Sequence, residues 1–273
     1  MKLACSNWVC VFALLLFPLA GCGEEDGAAG TGGTAGTGGT AGTGGTAGEV
    51  RTYGFWFVEF NPDGSSPFLE GVRVCEADTE NCAMSDVVGL VALDVPANQA
   101  VAFTMEKEGY GPWLHADVSD ENFGPAGGGA ALTVMYTDAQ LEAFAAQLQT
   151  TYPWPRGMVG LTRWPAPHAG VTFTPVGLTV DAVGDSFYYD SGLGEYSLDL
   201  EATTGEDPLS YLGPLAEGGF TDVTPGVQQF ELGGTTGDCV RTSWGWPGDT
   251  PNRIRVPVRA GYVTYGSMIC HEQ

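Results

Sequence analysis

PFLEGVRVCEADTENCAMSDVVGLVALDVPANQAVAFTMEKEGY, residues Pro67 to Tyr110, decides the fold class of this chain. Val72 and Val74, then Val91, Leu93 and Val95, then Val101, Phe103 and Met105 alternate with smaller or polar residues. Successive side chains leave a strand on opposite sides, so a period of two marks strands with one buried face. The stretch reads as one pass through a small antiparallel β-sandwich. Cys75 and Cys82 fall inside it, separated by six residues that include Asp78, Glu80 and Asn81. A zinc site would need two more soft ligands nearby, and the surrounding sequence supplies none. In an exported chain the pair reads as a disulfide closing a hairpin, worth about 2.5 kcal/mol on loop-entropy arithmetic.

Four pieces of this region carry a family resemblance: Leu69-Glu70-Gly71-Val72, the acidic turn Ser85-Asp86 followed by Gly89, Val95-Pro96-Ala97, and Lys107-Glu108-Gly109-Tyr110. Together they resemble the carboxypeptidase regulatory-like, transthyretin-like domain, whose pattern runs Gly-Val-x-Val, Thr-Asp-x-x-Gly, an apolar strand, a Pro-containing turn and a last strand ending Gly-Tyr. Ser85 stands where Thr is usual. The resemblance implies a seven- or eight-stranded Greek-key sandwich and no peptidase activity.

Upstream, Tyr53 to Phe60 (YGFWFVEF) carries aromatics at both phases of the alternation, which predicts an opening strand buried on each side or along an interface. The first fifty residues have no such pattern. Met1 to Cys22 has the parts of a secretory signal, with Lys2 as its positive region and Val9 to Leu19 as its apolar core. Leu19-Ala20-Gly21-Cys22 resembles the lipobox of bacterial lipoproteins, which implies acylation of Cys22 and a lipid anchor. Gly23 follows in place of the Asp that marks inner-membrane retention, so the Gram-negative sorting rule points to the outer membrane, in either leaflet. From Gly30 to Ala47 the chain repeats Gly-Thr-Gly-Gly-Thr-Ala, with no side chain able to bury apolar area. Residues 23–49 therefore read as a flexible tether, with a typical reach of roughly 30 Å and a stretched limit near 90 Å.

Downstream, Thr137 to Gln149 (TDAQLEAFAAQLQ) predicts a helix, with Thr137 and Gln140 as a capping box and Leu141, Phe144, Ala145 and Leu148 as one apolar stripe. Pro153 and Pro155 end it. From Gly157 short strands return between turn residues: Met158–Leu161, 169–173, 187–189, 196–200, 219–223, Val227–Leu232, Ile254–Val258 and 261–265. Ala169-Gly170-Val171-Thr172 and Asp222-Val223-Thr224-Pro225-Gly226 again look transthyretin-like, in a looser match. The expected architecture is mainly β: a first sandwich over residues 50–136, a helical connector over 137–156 and a second sandwich over 157–273. Such two-unit lipoproteins with a Gly/Thr-rich tether resemble surface lipoproteins of myxobacteria and related soil bacteria. Cys239 and Cys270 complete a set of four cysteines in the folded part, for which three pairings are possible. Separation into two units favours Cys75 with Cys82 and Cys239 with Cys270, the latter worth about 3.7 kcal/mol.

Charge limits the partners. The chain has 10 basic and 33 acidic residues. Without the leader and its Lys2 the balance is 9 − 33 = −24. Such a surface repels nucleic acid and anionic lipid headgroups, so contact with the membrane falls to the lipid anchor. His115, His168 and His271 sit in no catalytic motif, and the chain has neither a Gly-x-Ser-x-Gly elbow nor a His-Glu-x-x-His pair. Asp181, Asp185 and Asp190, or Asp117, Asp120 and Glu121, lack the spacing of a calcium loop and read as solvated turn residues. No cofactor or metal is implied. The expected function is non-catalytic: a structural or protein-recognition role at the cell envelope. The alternative is polysaccharide binding through Trp244-Gly245-Trp246-Pro247-Gly248, where two indoles on a Pro/Gly loop would form a flat platform for sugars.

Overall fold

The alternation around Val72 to Met105 is realised as strands in a computed structural model that describes residues 48–61, 65–121, 130–164, 172–190, 195–198, 216–234, 238–242 and 244–270. Before the helix come β1 (Val50–Glu59), β2 (Arg73–Glu76), β3 (Cys82–Met84), β4 (Leu90–Pro96), β5 (Ala100–Glu106), β6 (Trp113–Val118) and β7 (Ala130–Met135). The helix α1 spans Asp138–Gln147. After it come β8 (Met158–Trp164), β9 (Thr172–Val176), β10 (Ser186–Asp190), β11 (Glu195–Ser197), β12 (Ala216–Phe220) and β13 (Gly226–Gly233). The last four are β14 (Cys239–Arg241), β15 (Trp246–Pro247), β16 (Arg253–Val258) and β17 (Val263–Cys270). The chain is mainly β, with one α-helix among the described residues.

Three sheets form. A ten-stranded sheet runs β11-β10-β12-β8-β17-β6-β5-β2-β3, with β14 also paired to β17; a three-stranded sheet runs β4-β1-β7 and a four-stranded sheet β15-β16-β13-β9. Alternation assigns the cores. Met158, Val263 and Tyr265 face the same core as Val72, Val74, Phe103, Trp113 and the aromatics of β1. Val159, Leu161 and Met268 face a second core, closed by Phe230 and Leu232 from β13 and Ile254, Val256 and Val258 from β16. The three-stranded sheet and α1 therefore cover one face of the long sheet, and the four-stranded sheet covers the other. Glycine at 160 permits one close approach: a Cβ there would lie 2.3 Å from the Tyr265 ring.

The long sheet crosses from one expected unit to the other through β17. It pairs in parallel with β8 over seven positions, Val263↔Met158 to Ile269↔Trp164. On its other side it pairs in parallel with β6 at Val263↔Trp113 and Thr264↔Leu114. β1 and β7 are parallel too, from Gly54↔Ala130 to Glu59↔Met135. These pairings depart from the all-antiparallel expectation. Parallel neighbours need a crossover between them, and here the partners lie far apart in the chain, where local periodicity carries no signal.

β1 differs as well. Tyr53, Phe55 and Phe57 are buried, but Trp56 on the opposite face is only half-buried, stacked on Phe68 at 5.3 Å with its N–H donated to the Val88 carbonyl. The turn beneath it needs glycine at position 89, where φ is +77° and a Cβ would meet the Phe57 carbonyl oxygen at 2.4 Å.

The helix forms as its sequence requires. The Thr137 hydroxyl accepts from the Gln140 N–H, and the Gln140 side chain accepts from the Thr137 N–H at 2.8 Å. Gln140 also donates to the Phe60 carbonyl at the end of β1. Leu141, Phe144, Ala145 and Leu148 are buried, with Phe144 edge-on to Trp154 and Phe187. Both disulfides form as cross-strand pairs, Cys75 with Cys82 between β2 and β3 and Cys239 with Cys270 between β14 and β17.

Candidate functional site at the sandwich junction

β6 and β17 pair at only two positions before they separate, and β14 with the residues after it fills the opening. Cys239 and Arg241 pair with β17, the Ser267 main-chain N–H donates to the Trp244 carbonyl, and the Gly245 N–H crosses to the Ala116 carbonyl on β6. The junction is thus built from three distant stretches of sequence. Its ionisable groups are divided by side: β6 and the β2–β3 turn bring carboxylates, while the second unit brings arginines.

Asp117 projects from β6 with 1% of its side chain exposed. Its Oδ1 accepts from Arg241 Nη1 at 2.8 Å and from the Val118 N–H at 2.7 Å, while Arg241 Nη2 reaches Asp120 at 3.2 Å. Two charges taken out of water must be paired and hydrogen-bonded to be tolerated. Asp117 and Asp120 are therefore paired junction residues, which corrects their reading as solvated turn carboxylates. Tyr262 donates to Glu106, and Arg259 Nη2 contacts Asp78 Oδ1 at 2.6 Å. Burial, then the Glu106 hydrogen bond, pushes the Tyr262 phenol up to about 12.

Beside this seam lies a buried aromatic nest. His115 Nε2 is 2.8 Å from the Tyr53 hydroxyl, and its ring meets Trp244 edge-on at 4.7 Å and Phe55 at 5.5 Å. Nδ1 has no hydrogen-bond partner among the described residues. Desolvation lowers the imidazole pKa to about 3, so it is neutral at ordinary pH. Tyr136 and Tyr265 are held well above the usual phenol range, first by burial and then by the Glu217 carboxylate. With 2% exposure His115 reaches no solvent-borne substrate; it packs as a neutral aromatic. Arg163 on β8 is fully buried, and its Nε donates to Cys270 Sγ at 2.9 Å.

Among the described residues the junction has an accessible cleft of about 340 Å³ between β5 and β6 on one side and the β13 and β16 ends on the other. Its floor is buried Leu114 with half-buried Ala77 and Ala102, exposed Ala100 lies at its rim, and half-buried Trp246 forms one wall. Glu76, Asp78 and Arg259 stand around it, and Val227 and Pro257 complete the far side. The Trp246 Nε1 is spent inward on two main-chain carbonyls, Val101 and Asp117, each at 2.9 Å. What this indole offers the cleft is carbon.

The sequence-expected residues separate in space. Trp244 is 7% exposed, wedged between His115 and Tyr265, because its main chain is tied into the seam. The two-indole platform is therefore not presented to solvent, and Trp246 alone lines the cleft. Cys75, Cys82, Cys239 and Cys270 are bridged as above. Cys22, His168 and His271 lie outside the described residues. The sequence reading does not single out Asp78, Arg241 or Arg259, and it takes Asp117 for a solvated turn carboxylate. Asp117 had a signal: it shares the strand phase of Trp113 and His115, so its carboxylate points inward. The Asp78–Arg259 and Asp117–Arg241 pairs join residues more than a hundred positions apart, with no local signature.

No protein-family model matches the chain, and no curated protein matches it. Among solved structures it is similar to the Bacillus anthracis TIE protein at 8% identity, covering 81% of this chain and 34% of that one, with a TM-score of 0.23. It is similar to the minor pilin of the Gram-positive pathogen Streptococcus agalactiae at 11% identity, covering 82% and 96%, with a TM-score of 0.21. A streptococcal ancillary pilin gives 12% identity over 81% of this chain and 63% of that one, with a TM-score of 0.20. The chain spans about a third of the length of the first of these.

Proposed function

We propose that this chain is a non-catalytic lipoprotein of the bacterial cell envelope, anchored through Cys22 and carrying a structural or recognition module at the end of its Gly/Thr/Ala tether. The observation that supports this reading is the closure of the interior. The one buried histidine among the described residues is neutral and walled in by aromatics, the buried carboxylate Asp117 is spent on Arg241, and Cys270 is oxidised. The long sheet joins both sandwiches into one body, and the Gly/Thr/Ala repeat in the sequence of residues 23–49 has the composition of a tether. This combination suits presentation of a stiff surface to a partner.

The test is expression of the full-length chain and its Cys22→Ala variant in a Gram-negative host, followed by detergent phase partition and envelope cross-linking. The wild type is expected in the detergent phase and in cross-linked envelope adducts, and the variant in the aqueous phase. Equal partition of the two would remove the anchor; absence of adducts from the anchored wild type would remove recognition and leave a purely structural role.

A further inference from the structure

We infer that the junction cleft is a binding site for a short neutral saccharide, held against the carbon face of Trp246 and oriented by the Asp78–Arg259 pair. This goes beyond the envelope role above, since it gives the module a ligand class and a position for it.

Four observations converge. First, size and place fit: about 340 Å³ at the contact of two sandwiches lies within the range of small-ligand sites, which favour such interfaces. Second, the wall fits. A sugar ring stacks its C–H face on aromatic carbon, and with both carbonyl contacts at 2.9 Å fixing its N–H inward, Trp246 is held for stacking before any ligand arrives. A pre-set ring loses little entropy on binding.

Third, the polar groups are of the right kind. Asp78 Oδ1 and Arg259 Nη2, 2.6 Å apart, set acceptors beside a planar set of donors, and Asp78 keeps 85% of its side chain exposed. Arg259 is steadied further by the Tyr262 ring, 5.6 Å from the guanidinium carbon. A pair of hydroxyls on adjacent sugar carbons can accept from the guanidinium and donate to the carboxylate. Neighbouring Glu76, and a formal charge of −23 for the chain, disfavour anionic sugars, which is why the ligand is neutral. Fourth, the floor and rim are small. Ala77, Ala100 and Ala102 leave the volume open where larger residues would fill it.

The experiment titrates the full-length chain, disulfides intact, with maltose, cellobiose and N,N′-diacetylchitobiose, and with tri-alanine as a rival probe, read by calorimetry. Three variants accompany it: Ala102→Leu to fill the floor, Arg259→Ala to remove the donors, and Val240→Ser as a control at an exposed position on β14. Circular dichroism checks that each is folded. At least one disaccharide is expected to bind, with binding abolished in Ala102→Leu, weakened about tenfold or more in Arg259→Ala and unchanged in Val240→Ser. No saccharide binding up to about 10 mM overturns the proposal, as does binding indifferent to Ala102→Leu or a preference for tri-alanine. Envelope adducts persisting beside a blank sugar titration would remove this ligand and leave recognition standing.

Discussion

The two cores formed by the described residues are packed from different side chains. The first is aromatic and deep: Tyr53, Phe55, Phe57, Phe103 and Trp113 are essentially inaccessible, and α1 adds Leu141, Phe144 and Leu148. The second is mostly aliphatic, built on Val159, Leu161, Ile254 and Val256, with the Phe220–Phe230 stack as its aromatic element, and a buried disulfide pins β14 to the last strand. Each region also has one disulfide, but Cys75–Cys82 closes a separation of 7 residues at an edge hairpin of the first, while Cys239–Cys270 spans 31 residues and lies within the second core. The contrast teaches where each kind of perturbation should be felt. β8 and β17 are shared between the cores: β8 lends Met158 to one and Val159 and Leu161 to the other, and β17 lends Val263 and Tyr265 to one and Met268 and Cys270 to the other.

The largest expected effect is on the aromatic side. Phe103→Ala should cost about 3–5 kcal/mol, read as a lowered denaturant midpoint, because it empties a ring-sized volume between Tyr53 and Phe55. A cost under about 1 kcal/mol would mean that the first core does not depend on close packing. Next come the staples. Replacing Cys239 and Cys270 by Ala should cost about 3.7 kcal/mol, against about 2.5 kcal/mol for Cys75 and Cys82, since the former closes the longer loop. The reverse order in urea midpoints would break the contrast.

Acid should weaken the first core through His115. Its pKa is about 3 in the fold against 6.5 ordinarily, so between those values the unfolded chain binds a proton that the folded chain does not. Stability contributed by neutral His115 is therefore complete above pH 6.5 and is lost as pH falls towards 3. From neutral pH to about pH 4.5 the loss should be about 2–3 kcal/mol, and His115→Gln should flatten that slope in urea midpoints measured against pH. A wild-type slope equal to that of the variant would count against the neutral nest. The smallest effect belongs to the helix: Thr137→Ala should cost about 1 kcal/mol by removing the capping box, visible as a modest fall in Tm.

Legibility followed distance along the chain. β4 was readable because it buries one face and so writes a period of two, β2 and β5 because their apolar residues keep that period although Cys75 and Thr104 of the other phase are buried as well, and α1 because its cap and stripe are local. The Cys239–Cys270 pair emerged from separating the chain into two units. β14 was unreadable: three residues offer no period, and its pairing with β17 depends on chain that returns thirty residues later. Trp244 misled for a physical reason. Its Pro/Gly surroundings signal a surface loop, yet the seam between β6 and β17 draws that loop inward and buries the indole. The cleft was equally hidden, because Ala102, Trp246 and Arg259 meet only after both sandwiches share a sheet. Asp117 alone could have been placed from its strand phase.

The central claim is that β17 joins the two sandwiches into one cooperative body. Hydrogen exchange of the full-length chain, followed by mass spectrometry on peptides covering β5–β6, β8 and β17, tests it most directly. One body requires the slowest amides of β6, β8 and β17 to exchange through a common opening, with equal free energies that fall together as denaturant is added. If β8 and β17 opened at markedly lower denaturant than β5 and β6, the sandwiches would be independent domains and the shared sheet would contribute nothing to their coupling.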